Sequence, residues 1–114
     1  MSKQYKQISL FVCKAVRYGR PLRLPVFAES KFLLVTASDM GGGYKITHKP
    51  TGYGFGYWRS AAKADKAMQS ILDLDWDFGQ RWKCTAKNRV KQAAHPKIQA
   101  ILAELKRRLP EVML

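Results

Sequence analysis

The sequence predicts an α+β domain: a three-stranded antiparallel sheet packed by helices, in the order helix, three strands, helix, then one or two C-terminal helices. Three observations lead to this fold class. A hairpin turn is encoded at Lys49-Pro50-Thr51-Gly52, an apolar run typical of a strand precedes it, and apolar residues at helical spacing lie on both sides. With 114 residues and 46% hydrophobic content, residues 1–114 fit a single domain with a real core.

The charge balance favours an anionic partner. The chain has 21 Lys and Arg against 8 Asp and Glu, a net charge of +13, which exceeds what solubility requires. Nucleic acid and an acidic protein are the candidate partners. We expect no membrane partner and a cytoplasmic location, because the sequence has no run of about 18 apolar residues and no apolar leader segment.

The cysteines predict neither a disulfide framework nor a metal centre. Cys13 and Cys84 are too few and too distant for such a framework, and they read as small buried thiols. Adding His48 and His95 completes a formal Cys2His2 set, but no two members have finger-like spacing. No metal or cofactor is therefore predicted.

The first element is predicted to be a helix over residues 3–18. The β-branched residues favour a strand, but apolar and polar residues fail to alternate at Leu10-Phe11-Val12-Cys13. A helix would instead form one apolar stripe, made of Ile8, Phe11, Val12, Ala15 and Val16. The prolines then predict an extended connector over residues 19–25.

Three strands are predicted next. A strand can begin at Val26, and residues 32–36 form a stronger, mostly buried strand. Residues 38–43 make a glycine-rich turn, which lacks the Gly-Lys-Ser or Gly-Lys-Thr of a phosphate loop. The hairpin follows, since Pro50 suits the second position of a type I turn and Gly52 closes a three-residue loop with a bulge.

The hairpin register decides the candidate site. With the loop at residues 50–52, the cross-strand pairs are Lys49 with Tyr53, Thr47 with Phe55, and Lys45 with Tyr57. One face then displays aromatic rings bordered by lysines, which suits base stacking and phosphate contacts. A slip by one residue would place the same rings on the face of Ile46, in the core, and the sequence does not choose between the two registers.

A helix follows the hairpin, with Ser60 as its cap. Its predicted sheet-facing residues are Ala64, Met68, Ile71 and Leu72. Lys63 and Lys66 share another flank and can meet a phosphate backbone, although such lysines often serve only solubility.

An acidic stretch comes next, with Asp73, Asp75 and Asp77 at alternate positions. A calcium loop is excluded, because Phe78 and Cys84 replace the required glycine and glutamate. Magnesium-dependent nuclease chemistry remains a third hypothesis, but no further ligand or base follows in recognisable order. The favoured role is electrostatic: the stretch can pair with the basic segment that follows, or repel nucleic acid from one side of the protein.

Residues 78–97 form a basic segment that contains no acidic residue. Its candidate binding residues are Arg81, Trp82, Lys83, Lys87, Arg89 and Lys91. Because its apolar content is thin, we expect this segment to be loosely held until a partner binds.

The last predicted helix begins near Pro96 and ends before Pro110. Its apolar stripe contains Ile98, Ile101, Leu102, Leu105 and Leu109. Two uses compete for this stripe: completing the core, or forming a homodimer face through the first four residues.

In element order, the first 72 residues are similar to a double-stranded-RNA-binding domain, whose last helix offers basic residues to phosphates. Members of that family carry lysines at the start of this helix, where the present chain has Ala61 and Ala62, with Lys63 and Lys66 following.

The sequence thus predicts a non-enzymatic nucleic-acid-binding protein of weak sequence specificity. The sheet residues expected to bind are Lys45, Lys49, Tyr53, Phe55 and Tyr57. The alternative is a small regulatory or inhibitory module that docks on an acidic protein or a nucleoprotein machine.

Overall fold

The computed structural model describes residues 5–17, 20–38, 42–49, 54–76 and 89–112, with the side chains of all but 13–17, 20–22, 89–96 and 112. Five strands come first: β1 Ser9–Arg17, β2 Arg20–Glu29, β3 Leu33–Ala37, β4 Tyr44–His48 and β5 Gly54–Trp58. Two helices follow, α1 Ala61–Ser70 and α2 Arg89–Arg108, and then a 3-10 turn, Pro110–Val112. The strands form one antiparallel sheet in the order β1-β2-β3-β4-β5.

The α+β class is compatible with this structure, but the predicted three-stranded sheet and N-terminal helix are wrong. The segment expected to be helical is β1, and the expected connector lies within β2. Phe11 lies opposite Leu24, whereas Leu10 and Val12 point to the other face. Apolar residues on both faces remove the alternation that would have identified a strand.

The similarity to a double-stranded-RNA-binding domain fails for the same reason, because the first element is a strand. Two prolines lie inside β2, where Pro21 pairs with Val16 and Pro25 with Leu10. Register irregularities flank both prolines, between Cys13 and Val16 in β1 and between Val26 and Ala28 in β2. Bulges of this kind let a strand accept a residue that has no backbone N–H.

Helix α1 begins as predicted. The Ser60 hydroxyl accepts a hydrogen bond from the Lys63 backbone N–H at 3.2 Å. Ala64, Met68 and Ile71 are buried, but the prediction for Leu72 is wrong, since its side chain is 39% exposed. The helix also buries Ala61 and Ala67, and its three buried alanines allow its backbone to approach the sheet closely.

Helix α2 completes the core. It runs without a break through Pro96, so the predicted start at that proline is wrong. Ile98, Ile101 and Leu105 are buried in the same hydrophobic cluster as the sheet and α1. These side chains help to complete the core of their own chain, which is the first of the two predicted uses. Little of the apolar stripe is therefore left exposed for a dimer interface. Neither helix of the described part has the length and apolar character needed to cross a membrane.

Three stacked rings lie between the sheet and the segment after α1. Trp76 stacks on Phe55 at a centroid distance of 5.7 Å and on His48 at the same distance. Its indole N–H donates to the Ile71 carbonyl at 2.9 Å, and its own carbonyl lies 3.1 Å from Nε2 of His48. These bonds fix Trp76 over β4 and β5.

Ionic contacts join the two helices at their C-terminal ends. Arg108 donates to both carboxylate oxygens of Asp73, at 2.7 and 3.1 Å, and to the Ser70 carbonyl at 2.7 Å. Glu104 accepts from Arg107 and Arg108, and these bonds lower the pKa of Glu104 to about 2. The pKa of Asp73 is lowered as well, chiefly by the hydrogen bond from Arg108.

The N-terminal segment is tied to α1. Tyr5 donates its hydroxyl proton to the carboxylate of Asp65 at 2.6 Å. This hydrogen bond is the main cause that raises the pKa of Tyr5 to about 12, with burial and the negative charge of Asp65 adding to it. The tether holds residues before β1 against the helix layer.

The sheet face opposite α1 is also buried over its middle strands. Leu24, Val26 and Leu34 are at most 4% exposed. Thr36 and Thr47, which also lie on this face, are fully buried and share a hydroxyl hydrogen bond of 2.8 Å. The centre of this face is therefore not exposed to solvent.

The hairpin contains both of the registers that the sequence left open: the slipped one at Gly54 and Phe55, and the first one at Trp58. Phe55 pairs with Ile46 rather than with Thr47, so its side chain enters the core and is 6% exposed. The pairing then shifts, and Trp58 lies opposite Tyr44. Gly56, with φ of 74°, forms the bulge between them, in a backbone conformation that favours glycine. The bulge turns both Phe55 and Trp58 inward and leaves Tyr57 51% exposed.

This register predicts opposite stability effects at two aromatic positions. Phe55→Ala should lower the free energy of unfolding by about 3 to 5 kcal/mol, because it leaves a cavity beside Trp76. Tyr57→Ala should change it by less than about 1 kcal/mol, since half of that side chain is already exposed. Urea unfolding followed by circular dichroism measures both values, and equal losses would contradict the observed register.

The acid stability of the fold should depend on His48. Burial lowers the pKa of His48 from 6.5 to about 4 against the opposing effect of its bond to the Trp76 carbonyl. Between these values the unfolded chain binds a proton that the folded chain does not, so stability falls as the pH falls from 6.5 to 4. His48 should account for about 2 to 3 kcal/mol of that loss.

The matched variant is His48→Gln, which keeps a donor for the Trp76 carbonyl but does not titrate. The free energy of unfolding, measured across this pH range, should vary less in the variant than in the parent protein. An unchanged pH slope would show that another group is responsible.

Candidate nucleic-acid interface

The part of the sheet that remains open is the margin formed by β4 and β5, on the face opposite α1. Lys45 of β4 lies between the inward-facing Tyr44 and Ile46, so its side chain points to this face. Tyr57 and Gly56 of the β5 bulge lie opposite Lys45. Arg59 follows β5, and Lys63 lies in the first turn of α1. We call these four residues the sheet-edge patch, Lys45, Tyr57, Arg59 and Lys63.

The Tyr57 ring is held against the backbone of Gly43. A Cβ atom added to Gly43 would lie 2.4 Å from two ring carbons of Tyr57, so only glycine admits the ring there. Gly43 is buried under the ring, whereas Tyr57 itself is 51% exposed. The ring thus has a fixed position and an exposed surface.

Lys45 is positioned in a similar way. A Cβ atom added to Gly54 would lie 2.8 Å from Cδ of Lys45, so the methylene stem of this lysine lies across the glycine of the neighbouring strand. Gly43 and Gly54 therefore each leave room for one side chain of the sheet-edge patch, Tyr57 and Lys45 respectively. Lys45 is half-buried along its stem, as long cationic side chains commonly are.

The start of α1 adds positive potential to the patch. Arg59 and Lys63 are exposed and have no ionic partner among the described residues. The first turn of α1 contains no acidic residue, and the partial positive charge of a helix N-terminus lies there. An anion is the ligand that this arrangement favours.

Two of the predicted binding lysines are neutralised instead. Lys49 forms an ion pair with Glu29 of β2, and Lys66 forms one with Glu111, at 3.6 Å. Phe55 is buried beneath Trp76 and offers no ring to a base. Of the predicted sheet residues, the structure therefore brings together Lys45 and Tyr57.

Several predicted residues lie outside the described part of the chain. These are Tyr53, Arg81, Trp82, Lys83 and Lys87. Arg89 and Lys91 belong to the first turns of α2, but their side chains are not described.

Net charge is unevenly distributed along the sequence, because most of the acidic residues lie in its second half. Residues 1–60 contain ten Lys and Arg and two acidic residues, whereas residues 61–114 contain eleven and six. On the helical side, Asp73, Asp75, Glu104 and Glu111 all form ion pairs with Lys or Arg. The helical layer thus neutralises much of its own charge, and the strand-forming part has the larger surplus.

The acidic stretch takes part in these ion pairs. Asp73 is bound by Arg108, and Asp75 by Lys97 at 3.3 Å. Of these two contacts, the pair of Asp75 with Lys97 joins the stretch to the basic segment at residues 78–97, as predicted, whereas Arg108 lies beyond that segment. Asp77 lies outside the described residues. Within the described ranges, no group of three His, Cys, Asp or Glu side chains is placed to hold a metal ion.

Arg59 is the patch residue that the sequence analysis missed. It follows Tyr57 by two positions, so simple alternation along β5 would have placed both side chains on one face. The predicted cross-strand pairs ended at Tyr57, so the sequence analysis did not consider the residues after it as binding residues.

Comparisons of the chain with protein-family models, curated proteins and solved structures found no match.

Proposed function

We propose that this protein is a small, cytoplasmic, non-enzymatic nucleic-acid-binding protein of weak sequence specificity, and that the sheet-edge patch is its binding surface. One observation carries the proposal: an exposed tyrosine ring is seated on a glycine, on the sheet face that also displays Lys45, and the exposed Arg59 and Lys63 follow it within six positions of sequence. The basic residues of segment 78–97 provide a second contact region in this proposal.

The patch offers the two interactions that such binding needs. A base can stack on the exposed Tyr57 ring, and base–aromatic stacking contributes about 1 to 3 kcal/mol. Lys45, Arg59 and Lys63 can then neutralise neighbouring phosphates and release their counterions. Because Gly43 already holds the ring in place, little side-chain entropy is lost on binding.

Single-stranded nucleic acid is the form that suits this patch. Stacking on a protein ring requires a base that is not already stacked within a duplex. The patch lies at the margin of the sheet, where a flexible strand can reach it. Phosphate contacts carry no base information, which accounts for the weak specificity we propose.

A second candidate function is a module that docks on an acidic protein. The surface that favours this function is formed by the exposed apolar side chains of β1. Strand β1 lies at the opposite end of the sheet from β5, which carries Tyr57. We do not retain the nuclease hypothesis, since Asp73 and Asp75 are engaged by Arg108 and Lys97.

The first test concerns the salt dependence of binding. Arg59→Gln should reduce the slope of log affinity against log salt concentration by about 0.7, the value for one phosphate contact on a single strand. The probe is a fluorescein-labelled dT or rU oligonucleotide, followed by anisotropy at several salt concentrations. Lys106→Gln is the matched control, because Lys106 is also exposed but lies on α2. The absence of binding to any DNA or RNA at low salt would refute the proposed function.

The second test isolates stacking. Tyr57→Ala should weaken oligonucleotide binding about tenfold or more, with the salt slope unchanged, because it removes stacking and no charge. Tyr57→Trp should restore binding and show fluorescence quenching when the oligonucleotide is added. Gly43→Ala should displace the ring and give an intermediate affinity.

Phe32→Ala provides the matched control for this test. Phe32 is also an exposed ring, 42% exposed, and Nζ of Lys31 lies 5.1 Å from its centroid. If Phe32→Ala weakened binding as much as Tyr57→Ala, the ring of the sheet-edge patch would not be the stacking platform.

A further inference from the structure

The first strand carries a row of exposed apolar side chains. Ile8, Leu10 and Val12 are 59%, 46% and 50% exposed. They occupy alternate positions, so they point to one face of the sheet, the face that α1 covers further along. We call these three residues the β1 row.

The β1 row lies on an edge of the sheet. Strand β1 pairs with β2 on one side and has no strand neighbour on the other among the described residues. Natural proteins usually protect such an edge with charged side chains, with proline or with a covering segment. From Ile8 to Val12 the strand has neither charge nor proline, and four of these five residues are exposed.

The surroundings of the row are positively charged. Arg23 of β2 is exposed and lies opposite Val12, and Lys6 precedes the row and is exposed as well. The two strands contain Lys14, Arg17, Arg20 and Arg23 and a single acidic residue, Glu29, at the far end of β2. Glu29 is already paired with Lys49. A ligand that complements this surface has apolar side chains at its centre and carboxylates at its ends.

A second copy of this chain does not supply that pattern. Antiparallel pairing of two β1 strands matches the apolar rows in one register, with Leu10 opposite its own copy and Ile8 opposite Val12. The same register brings the Lys6 and Lys14 positions together at both ends. Like charges that oppose each other across a strand pair are destabilising.

We infer that the β1 edge binds an extended segment of an acidic partner protein, which adds to the sheet as a sixth strand. Apolar residues at alternate positions of that segment would lie beside Ile8, Leu10 and Val12, and carboxylates at its ends would face Lys6 and Arg23. Main-chain hydrogen bonds would supply affinity, and the alternating side chains would supply specificity.

This surface is distinct from the sheet-edge patch. The β1 row and Tyr57 belong to strands at opposite ends of the strand order and point to opposite faces. Both ligands can therefore bind together, which would make the protein an adaptor between an acidic protein and a nucleic acid. The inference on β1 does not depend on the proposed function.

The test uses a blocked synthetic peptide in which valine and threonine alternate between two terminal glutamates. Labelled peptide is titrated with the full chain, and binding is followed by anisotropy. Leu10→Lys should weaken peptide binding about tenfold, because it places a charge in the row. Val12→Lys is a second variant with the same expectation. Since both side chains are about half exposed, neither variant should unfold the protein, and thermal unfolding checks this.

Leu72→Lys is the matched control, because Leu72 is an exposed leucine outside the sheet. It should leave peptide affinity unchanged, and oligonucleotide affinity should not fall in Leu10→Lys. A peptide with terminal lysines, or with a central proline, should bind more weakly than the parent peptide. Amide hydrogen exchange should show new protection at the β1 amides that point away from β2.

Three results would overturn the inference. One is equal peptide affinity in Leu10→Lys and Leu72→Lys. Another is equal binding of the glutamate-ended and lysine-ended peptides. The third is a stable dimer of the parent protein that Leu10→Lys dissociates in sedimentation, since the row would then be a self-interface. Loss of oligonucleotide binding in Tyr57→Ala with peptide binding intact would leave the inference standing.

Discussion

The bulge at Gly56 is the constraint on which the rest of the structure depends. Phe55 and Trp58 are three positions apart, so in a regular strand they would point to opposite faces. The extra residue in β5, with φ of 74° at Gly56, turns both rings into the core. It also points Tyr57 outward. A Cβ atom at Gly56 would lie 2.2 Å from the Trp58 ring, so this position requires glycine for both its backbone angle and its space.

The bulge divides the aromatic residues between two roles. Phe55 takes part in the stack with Trp76 and His48, which joins the sheet to the segment after α1. Tyr57 is seated on Gly43 and remains half exposed. Charge is divided in a similar way. Asp73, Asp75, Glu104 and Glu111 pair with cations of the same helical layer, and the strand-forming residues 1–60 have the larger net positive charge.

The two proposed ligands follow from this division. Tyr57 and its basic neighbours suit a flexible anionic polymer with aromatic bases. The β1 row suits an extended polypeptide, because its backbone edge can continue the sheet and its side chains alternate. Both surfaces have basic residues, and the β1 edge adds a periodic apolar row. The chemistry of each surface, rather than net charge alone, separates the two ligands.

The sequence by itself determined the local elements. The pattern Lys49-Pro50-Thr51-Gly52 predicted a strand on each side, and β4 and β5 lie there, although the predicted loop itself is outside the described residues. Ser60 and the apolar spacing identified α1, and the apolar stripe from Ile98 to Leu105 identified α2. These features depend on neighbours within one or two turns of chain. The helix expected at residues 3–18 shows the limit, because β1 has apolar side chains on both faces and its strand character depends on pairing with β2.

Only the tertiary structure decided which candidate residues reach the surface. The hairpin register removed Phe55 from the site, and ion pairs with distant Glu29 and Glu111 neutralised Lys49 and Lys66. Local sequence carries no signal for these contacts, since the paired residues are twenty or more positions apart. Register and ion pairing result from the packing of the whole chain. For that reason the positive charge was predictable from composition, whereas the surface that presents it was not.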